Sequence, residues 1–587
     1  MRGYIEKGLV MKVLLINPPV GTNESIYPAL PLLQGQLKGN QIDTTIFDLN
    51  IEFVKEITNS NYLRKTKNIL EKIYQDNDYV NANVNPKYQL NKEQLNELNK
   101  KIEKNFIDYK KIIDVYTSSQ CCFYENYIKA HKMGKLKNEK IYQKYVKLFH
   151  ILVSFAFLPF YPDEIYTLHY YSELSFVANN PLYKYSYEDI KDKCSNDKRN
   201  IYIDFFEQKI SELNLNQYDI IGITIPFEQN TIPALTLGKL LKEKTKAKIV
   251  IGGIIPTTTI DSFKKYPEMF GKYFDHILVG DGEKSIVEYV HYIENKIPAS
   301  EVSGLVYKEE DKIIQNKNTK IKNIEEIYAP NFDNINFDVY RSRNLIPIEL
   351  SKGCYWHNCV FCYNHLWKKY YIRSVESAAN IFENLSTKYG IKNFEILDDA
   401  IQVNFAEKFA DEIIKRNLNI NYIAFFRTED NLSYELLSKL HKSGLSRIFF
   451  GIESGSERIL KLMNKGINLD VAERILKDCY EIGIQTDVGL MFGFPTETKE
   501  DVLKTIEFYK KNKMYITKAN FAIFHLTKSS AMLTEENIKR FQLSNIIQPE
   551  EFSEDILFKA PGLPKKELYE MLKENDMQYI LHTKWIF

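Results

Sequence analysis

Residues 353–364 read GCYWHNCVFCYN, which puts Cys354, Cys359 and Cys362 within nine positions of a chain that has seven cysteines in 587 residues. Thiolates this crowded, in a chain whose first ten residues carry charges and no long apolar run, read as metal ligands in a reducing cytoplasm rather than as disulfide partners. Two centres can be drawn. With His365, three residues beyond Cys362, the cysteines complete a Cys3His tetrahedron for zinc. Without it, three cysteines hold a [4Fe–4S] cluster and leave one iron open to a ligand that is not protein.

The surrounding elements weigh between these centres. From LIPIELSKGC onward, the runs KNFEILDD, INYIAFFRTE, SRIFFGIESG, IQTDVGLMFGFP and YITKANFAIFH are each separated by one amphipathic helical pattern. Residues 340–530 therefore read as six βα units, a partial (β/α)6 TIM-like barrel whose chemistry sits on the loops after the strands' carboxyl ends. The cysteines follow the first strand directly, a functional position that a structural zinc rarely needs, which favours the cluster.

Upstream, VLLINPP, then a helix and IDTTIFDLN, open a β-α-β pattern that resumes in YDIIGITIPF, AKIVIGGIIP and FDHILVGDGEKSIVEYV. Residues 11–53 and 215–300 read as one doubly wound, Rossmann-like α/β domain. An insertion over 54–214, rich in lysine, asparagine and tyrosine, has helical spacing, and residues 531–587 form a small mixed tail. Lysine plus arginine (78) balances aspartate plus glutamate (77), so no domain-wide basic field points to nucleic acid or an anionic membrane. LFHILVSFAFLPFY at 148–161 is shorter than the ~20 residues of a spanning helix and reads as buried helix, so no transmembrane segment is expected. The partner left by this composition is a small molecule or a peptide.

With these motifs in place, the chain resembles a radical S-adenosylmethionine (SAM) enzyme of the subgroup with an N-terminal cobalamin-binding domain, over 11–53 and 215–530. The family spaces its first two cysteines by three residues; CYWHNC has four, which places a one-residue bulge in the loop. The resemblance implies that the open iron binds the amino and carboxylate groups of SAM, and that reduction through the cluster, by a donor such as flavodoxin or ferredoxin, yields a 5′-deoxyadenosyl radical. It implies an acceptor for the SAM ammonium at Asp398 and Asp399, a planar partner for the SAM carboxylate at Arg427, further SAM contacts at Glu453 and Ser454, and an aromatic beside adenine at Phe361. GLMFGFPTET, at 489–498, corresponds to the family's adenine-contacting strand and turn.

The first domain corresponds to the family's cobalamin-binding half. That implies corrinoid contacts at Gly252, Gly253, Gly280 and Gly282, with Thr224 as a hydroxyl donor. The loop NPPVGTNES lacks the G-x-G-x-x-G of a dinucleotide site. No histidine occurs between residues 1 and 130, so the Asp-x-His-x-x-Gly motif that gives histidine to cobalt in some cobalamin domains is absent. The expected activity is methyl transfer to an unactivated carbon of a natural-product precursor or peptide. The alternatives are a non-methylating radical SAM enzyme (redox, rearrangement or cyclisation) and a zinc-stabilised binding protein. A methylthiotransferase needs a second cysteine-held cluster, and Cys121, Cys122, Cys194 and Cys479 form no second triplet.

Overall fold

The computed structural model describes residues 11–21, 25–76, 92–160, 164–166, 177–179, 185–319, 321, 323–340, 345–362 and 369–577. They form two compact units. The first comprises residues 1–320, 330–343 and 550–553, and the second 321–329, 344–549 and 554–587.

In the first unit, short β-branched runs are buried on both faces and pair in parallel, as strands covered by helices on either side must. The sheet order is Asp43–Asp48, Lys12–Asn17, Ile220–Thr224, Lys248–Gly252, His276–Leu278, Leu305–Glu309, Lys312–Gln315. The first five strands are parallel. Their order, with the second strand outside the first, is the flavodoxin-like doubly wound arrangement, which opens a crevice beyond the carboxyl ends of Lys12–Asn17 and Ile220–Thr224. The sheet runs on past residue 300 through an antiparallel hairpin, Leu305–Gln315. LVYKEEDKIIQ hides this hairpin in sequence, because charges interrupt both short runs. One core cluster joins Val13, Leu15, Ile220 and Val250 to Leu30 and Leu37 of helix Ala29–Gly39 and to Ile286, Tyr289 and Val290 of helix Gly282–Ile293.

Between the second and third strands, helices Leu49–Ile57, Ser60–Asp76, Lys92–Thr117, Phe123–Lys132 and Glu139–Phe157 carry most of the described insertion. The apolar stretch at 148–157 is a buried helix, with Phe149, Leu152, Val153 and Phe155 all 0 % exposed. Phe53 packs its ring against Phe157, Tyr202 and Phe205, which ties this layer to the sheet domain. Residues 550–553 complete the unit. Phe552 is fully buried with its ring 4.8 Å from that of Phe263, Glu551 accepts from Tyr266 Oη at 2.5 Å and from the Tyr187 amide at 3.0 Å, and Ser553 donates to Glu228 at 2.6 Å.

The second unit holds six parallel strands in sequence order: Leu345–Ile348, Asn393–Ile396, Asn421–Phe426, Leu445–Glu453, Gln485–Phe492 and Lys518–Ile523. These are the six βα units of the sequence pattern. Alternation sorts their faces: Phe394, Ile396, Tyr422, Ala424, Phe426, Ile448, Phe450 and Ile452 are buried, while Glu395, Ile423, Phe425, Arg447, Phe449, Gly451 and Glu453 lie half-buried on the opposite, inner face. Helices Val375–Tyr389, Tyr434–Lys442, Glu457–Leu462, Leu469–Ile482 and Lys499–Asn512 start on side-chain caps, Ser374, Ser433, Ser456, Asn468 and Thr498, each accepting from a backbone amide in its own first turn; helix Val403–Lys415, after the second strand, starts without one. Such caps satisfy amides that a helix start leaves unpaired. The tail is a structured part of this unit: strands Leu526–Thr527, Asp555–Lys559 and Ser544–Ile547 make an antiparallel sheet. Its Leu526, Met532, Phe541, Leu543 and Ile556 share a core with Val360 of the cysteine loop. No helix among the described residues is long and apolar enough to cross a membrane.

Candidate functional site at the mouth of the barrel

The cysteine loop leaves the first barrel strand through Gly353, at φ +77°. The extra residue of CYWHNC is absorbed at His357, which takes the left-handed conformation at φ +53°. Cys354, Cys359 and Cys362 are all half-buried and in no disulfide. The Cys362 amide donates to the Cys359 carbonyl at 3.3 Å, which turns the chain so that the last two thiols belong to one bend. His365, the fourth ligand of the zinc alternative, lies outside the described residues. Among the described residues no three His, Cys, Asp or Glu side chains are grouped to hold one metal ion. The donors of a four-iron cluster, each on a separate iron, stand farther apart than ligands of one ion.

The loop is fastened from two sides. From the tail, Ser530 Oγ donates to the carbonyls of Val360 at 3.2 Å and Phe361 at 3.3 Å. From the linker after helix Glu457–Leu462, the Met463 carbonyl accepts from the Val360 amide at 3.0 Å, and the Asn464 carbonyl accepts from Trp356 Nε1 at 2.8 Å. Gly466, at φ +65°, lets the Trp356 ring lie against the backbone; a Cβ there would come within 2.0 Å of it.

Arg427, 5 % exposed, follows the third barrel strand. Its guanidinium stacks on Trp356, 4.2 Å from the ring centroid, and donates to the carbonyls of Lys465 and Gly466. The family resemblance implies that this side chain pairs with the SAM carboxylate. The structure gives part of its fork to the clamp on the cysteine loop, while Nε, buried, makes no hydrogen bond and lies 3.5 Å from Glu429 Oε1.

Glu453 ends the fourth strand in the left-handed region, φ +68°, and binds Lys465 Nζ at 2.9 Å. The glycine at 451 makes room for this pair, since a Cβ there would meet Glu453 Oε1 at 2.5 Å and Lys465 Nζ at 3.0 Å. Burial opposes the charge of Lys465, but Glu453 and the Cys359 thiol outweigh it and hold the ammonium pKa above its ordinary value. Burial likewise raises the Cys359 thiol, with Lys465 and Arg427 pulling the other way. Phe361, half-buried between two of the cysteines, has its ring centroid 6.0 Å from Lys465 Nζ.

The adjacent acids of FEILDDA part company. Asp399 is exposed, whereas Asp398 is 2 % exposed and accepts from the Leu350 amide at 2.7 Å. Its Oδ2, the Ser351 hydroxyl and the Tyr370 hydroxyl are buried without a hydrogen bond of normal geometry. Burial pushes the Asp398 carboxyl up to about 7. This trio fits a cationic or hydrogen-bond-donating ligand group, as a SAM ammonium would be. Ser454 is not brought to the site: fully buried, it bonds Thr505 of helix Lys499–Asn512 at 3.1 Å and receives the Ser456 amide. Trp356 and Lys465 were missed by sequence reasoning. Trp356 stands between two cysteines and Lys465 ten residues beyond the fourth strand's GIESG, and neither shows its partner without the fold.

In the first unit, Thr224 is buried at its strand end beside Gly252. The glycines there answer to close packing within the chain. A Cβ on Gly252 would face the Leu278 carbonyl at 3.3 Å, on Gly253 the Ile225 carbonyl at 2.8 Å, on Gly280 the Asn318 side-chain Nδ2 at 1.6 Å, and on Gly282 the Leu33 side chain at 3.0 Å. The features of this end that fit a large flat cofactor are others. Phe227 is 50 % exposed just after the Ile220–Thr224 strand. Beyond it, Asn230 Oδ1 and Thr231 Oγ1 are buried without partners.

Residues 348–509 match the Radical SAM superfamily, and this part of the chain is a radical SAM domain. The chain is similar to an uncharacterized methyltransferase of Pyrococcus horikoshii, 31% identical over 306 residues that make up 50% of this chain and 64% of that protein. It therefore spans less than two thirds of that relative's length. It is also similar to the cytidylyl-2-hydroxyethylphosphonate methyltransferase of Streptomyces wedmorensis, 23% identical over 399 residues, 59% of this chain and 71% of that one. Among solved structures, a radical S-adenosylmethionine methyltransferase of Kitasatospora setae, determined with cobalamin and a [4Fe-4S] cluster bound, superposes with a TM-score of 0.55 at 14% identity, covering 97% of this chain and 90% of that one. The shared fold thus includes both the doubly wound sheet and the barrel.

Proposed function

We propose that the chain is a cobalamin-dependent radical SAM enzyme that methylates an unactivated carbon of a natural-product precursor or peptide in the cytoplasm, fed by a low-potential donor such as flavodoxin or ferredoxin. The observation that carries this reading is a three-cysteine loop at the mouth of a radical SAM domain, in a chain that also has a flavodoxin-like sheet with an open switch point.

Cys354, Cys359 and Cys362 would hold the cluster as thiolates, with Lys465 and Arg427 as the nearby cations that favour the ionised form. Asp398, with Ser351 and Tyr370, supplies buried acceptors for the SAM ammonium, and Phe361 a flat apolar face. Phe227, Asn230 and Thr231 suit the edge and face of a corrinoid at the switch point. When bound, these groups supply a hydrogen-abstracting radical and a transferable methyl group. The chain's own task is to hold them, orient SAM and keep water from the site.

Full-length protein, reconstituted anaerobically with iron, sulfide and cobalamin, is incubated with reductant, methyl-labelled SAM and host metabolite extract. A labelled product that disappears when Cys354, Cys359 and Cys362 are replaced by alanine, or when cobalamin is left out, is the expected result. Deoxyadenosine without labelled product, or full activity without cobalamin, would move the assignment to a non-methylating radical enzyme.

A further inference from the structure

We infer that Lys465 is a positioning residue for electron transfer, a fixed buried cation set beside the cysteine loop so that the cluster there accepts its electron at a higher potential than the loop alone would allow. The inference rests on the cluster reading of Cys354, Cys359 and Cys362.

A lysine 8 % exposed is costly unless paired. This one has a single carboxylate partner, Glu453 at 2.9 Å, although an ammonium carries three donors. Its place is set by backbone rather than by that ion pair. Residues 463–466 are tied to the cysteine loop directly through Met463 to Val360 and Asn464 to Trp356, and indirectly through the Lys465 and Gly466 carbonyls, which accept from Arg427 where it stacks on Trp356. The Lys465 amide closes the end of the preceding helix on the Leu460 carbonyl at 3.0 Å. The ammonium is thereby held 6.0 Å from the Phe361 ring, which lies between two of the cysteines.

The charges around this position are Glu453, Arg427 and the thiols. Lys465 sits on the linker whose neighbouring residues bond Val360 and Trp356 of the cysteine loop, with its ammonium 6.0 Å from the Phe361 ring, whereas Glu453 hangs from the end of the fourth strand. The positive end of the pair is therefore the one set beside the cysteine loop. One-electron reduction of a [4Fe–4S]2+ core to [4Fe–4S]+ takes one electron from a low-potential donor, moves no proton and adds one negative charge. A fixed cation nearby stabilises the reduced form, since net charge and surroundings set the potentials of such clusters.

The test is an EPR-monitored redox titration of the full chain, reconstituted anaerobically with iron and sulfide, without SAM, and reduced with dithionite. Lys465→Met is expected to shift the midpoint to more negative potential, Lys465→Arg to restore it to near the wild-type value, and Glu453→Gln to shift it to more positive potential. A merely structural lysine would move none of these in opposite directions. If Lys465→Met does not retain a cluster, Glu453→Gln decides: no positive shift overturns the inference. Unchanged midpoints in Lys465→Met and Glu453→Gln overturn it, as does a Lys465→Arg value as low as that of Lys465→Met. Failure of the wild-type chain to assemble any cluster would instead overturn the cluster reading on which the inference stands.

Discussion

Asp398 shows how one carboxyl records its surroundings. Burial pushes it up to about 7, whereas an unfolded chain ionises aspartate near 4. Between those values the folded protein binds the extra proton, so the stability it contributes is fully present at low pH and is lost as pH rises through about 7. Asp398→Asn keeps an acceptor for the Leu350 amide and cannot ionise. Its Tm, measured without cofactors, is expected to match wild type at about pH 4 and to exceed it at about pH 8, with a stability difference of up to about 4 kcal/mol. Parallel Tm curves across that range would show that Asp398 titrates normally. The residue types of the site were legible in sequence wherever chemistry alone selects them, as with the cysteines. Their use was not. Arg427 and Ser454 are spent on neighbours far along the chain, Lys465 and Thr505, which no local spacing displays.

Among the elements, the barrel strands could be read because short apolar runs, alternating between a buried and a half-buried face in Asn393–Ile396, Asn421–Phe426 and Leu445–Glu453, are separated by amphipathic helical patterns. The hairpin Leu305–Gln315 could not, because its strands are short and charged. Nor could the linker 463–466, whose KLMNKG reads locally as a helix end with a solvated lysine. Its geometry depends on Gly466, which combines φ +65° with contact against Trp356. Gly466→Ala is expected to cost about 1–3 kcal/mol and to displace the Trp356 ring. A lower Tm together with altered tryptophan fluorescence checks this; a silent substitution would mean that the linker does not clamp the loop.

On the scale of the whole molecule, the chain's units are not consecutive in sequence. Residues 550–553 belong to the first unit although their flanks belong to the second. Phe552→Ala, which empties a fully buried position against Phe263 and Tyr266, is expected to cost about 3–5 kcal/mol. The loss should be local to the first unit, read as faster hydrogen exchange in helices Tyr187–Lys193 and Ile260–Lys264. Unchanged exchange there would mean that the segment merely rests on the surface. Such a contact, made across nearly three hundred residues, leaves no trace in a local pattern; QPEEFSEDI reads only as a polar turn.

That interleaving also sets an order of events on the ribosome. Domains made early usually fold early, at synthesis rates of about 5–20 residues per second. Here the sheet that leaves the exit tunnel first lacks its Phe552 plug and its Glu551 and Ser553 bonds until the roughly 200 intervening residues are made, a delay on the order of 10–40 seconds. Over that interval the nascent first unit exposes the hollow between Phe263, Tyr266 and Tyr187. A ribosome stalled at any point before residues 550–553 have themselves cleared the tunnel carries an unfinished N-terminal half.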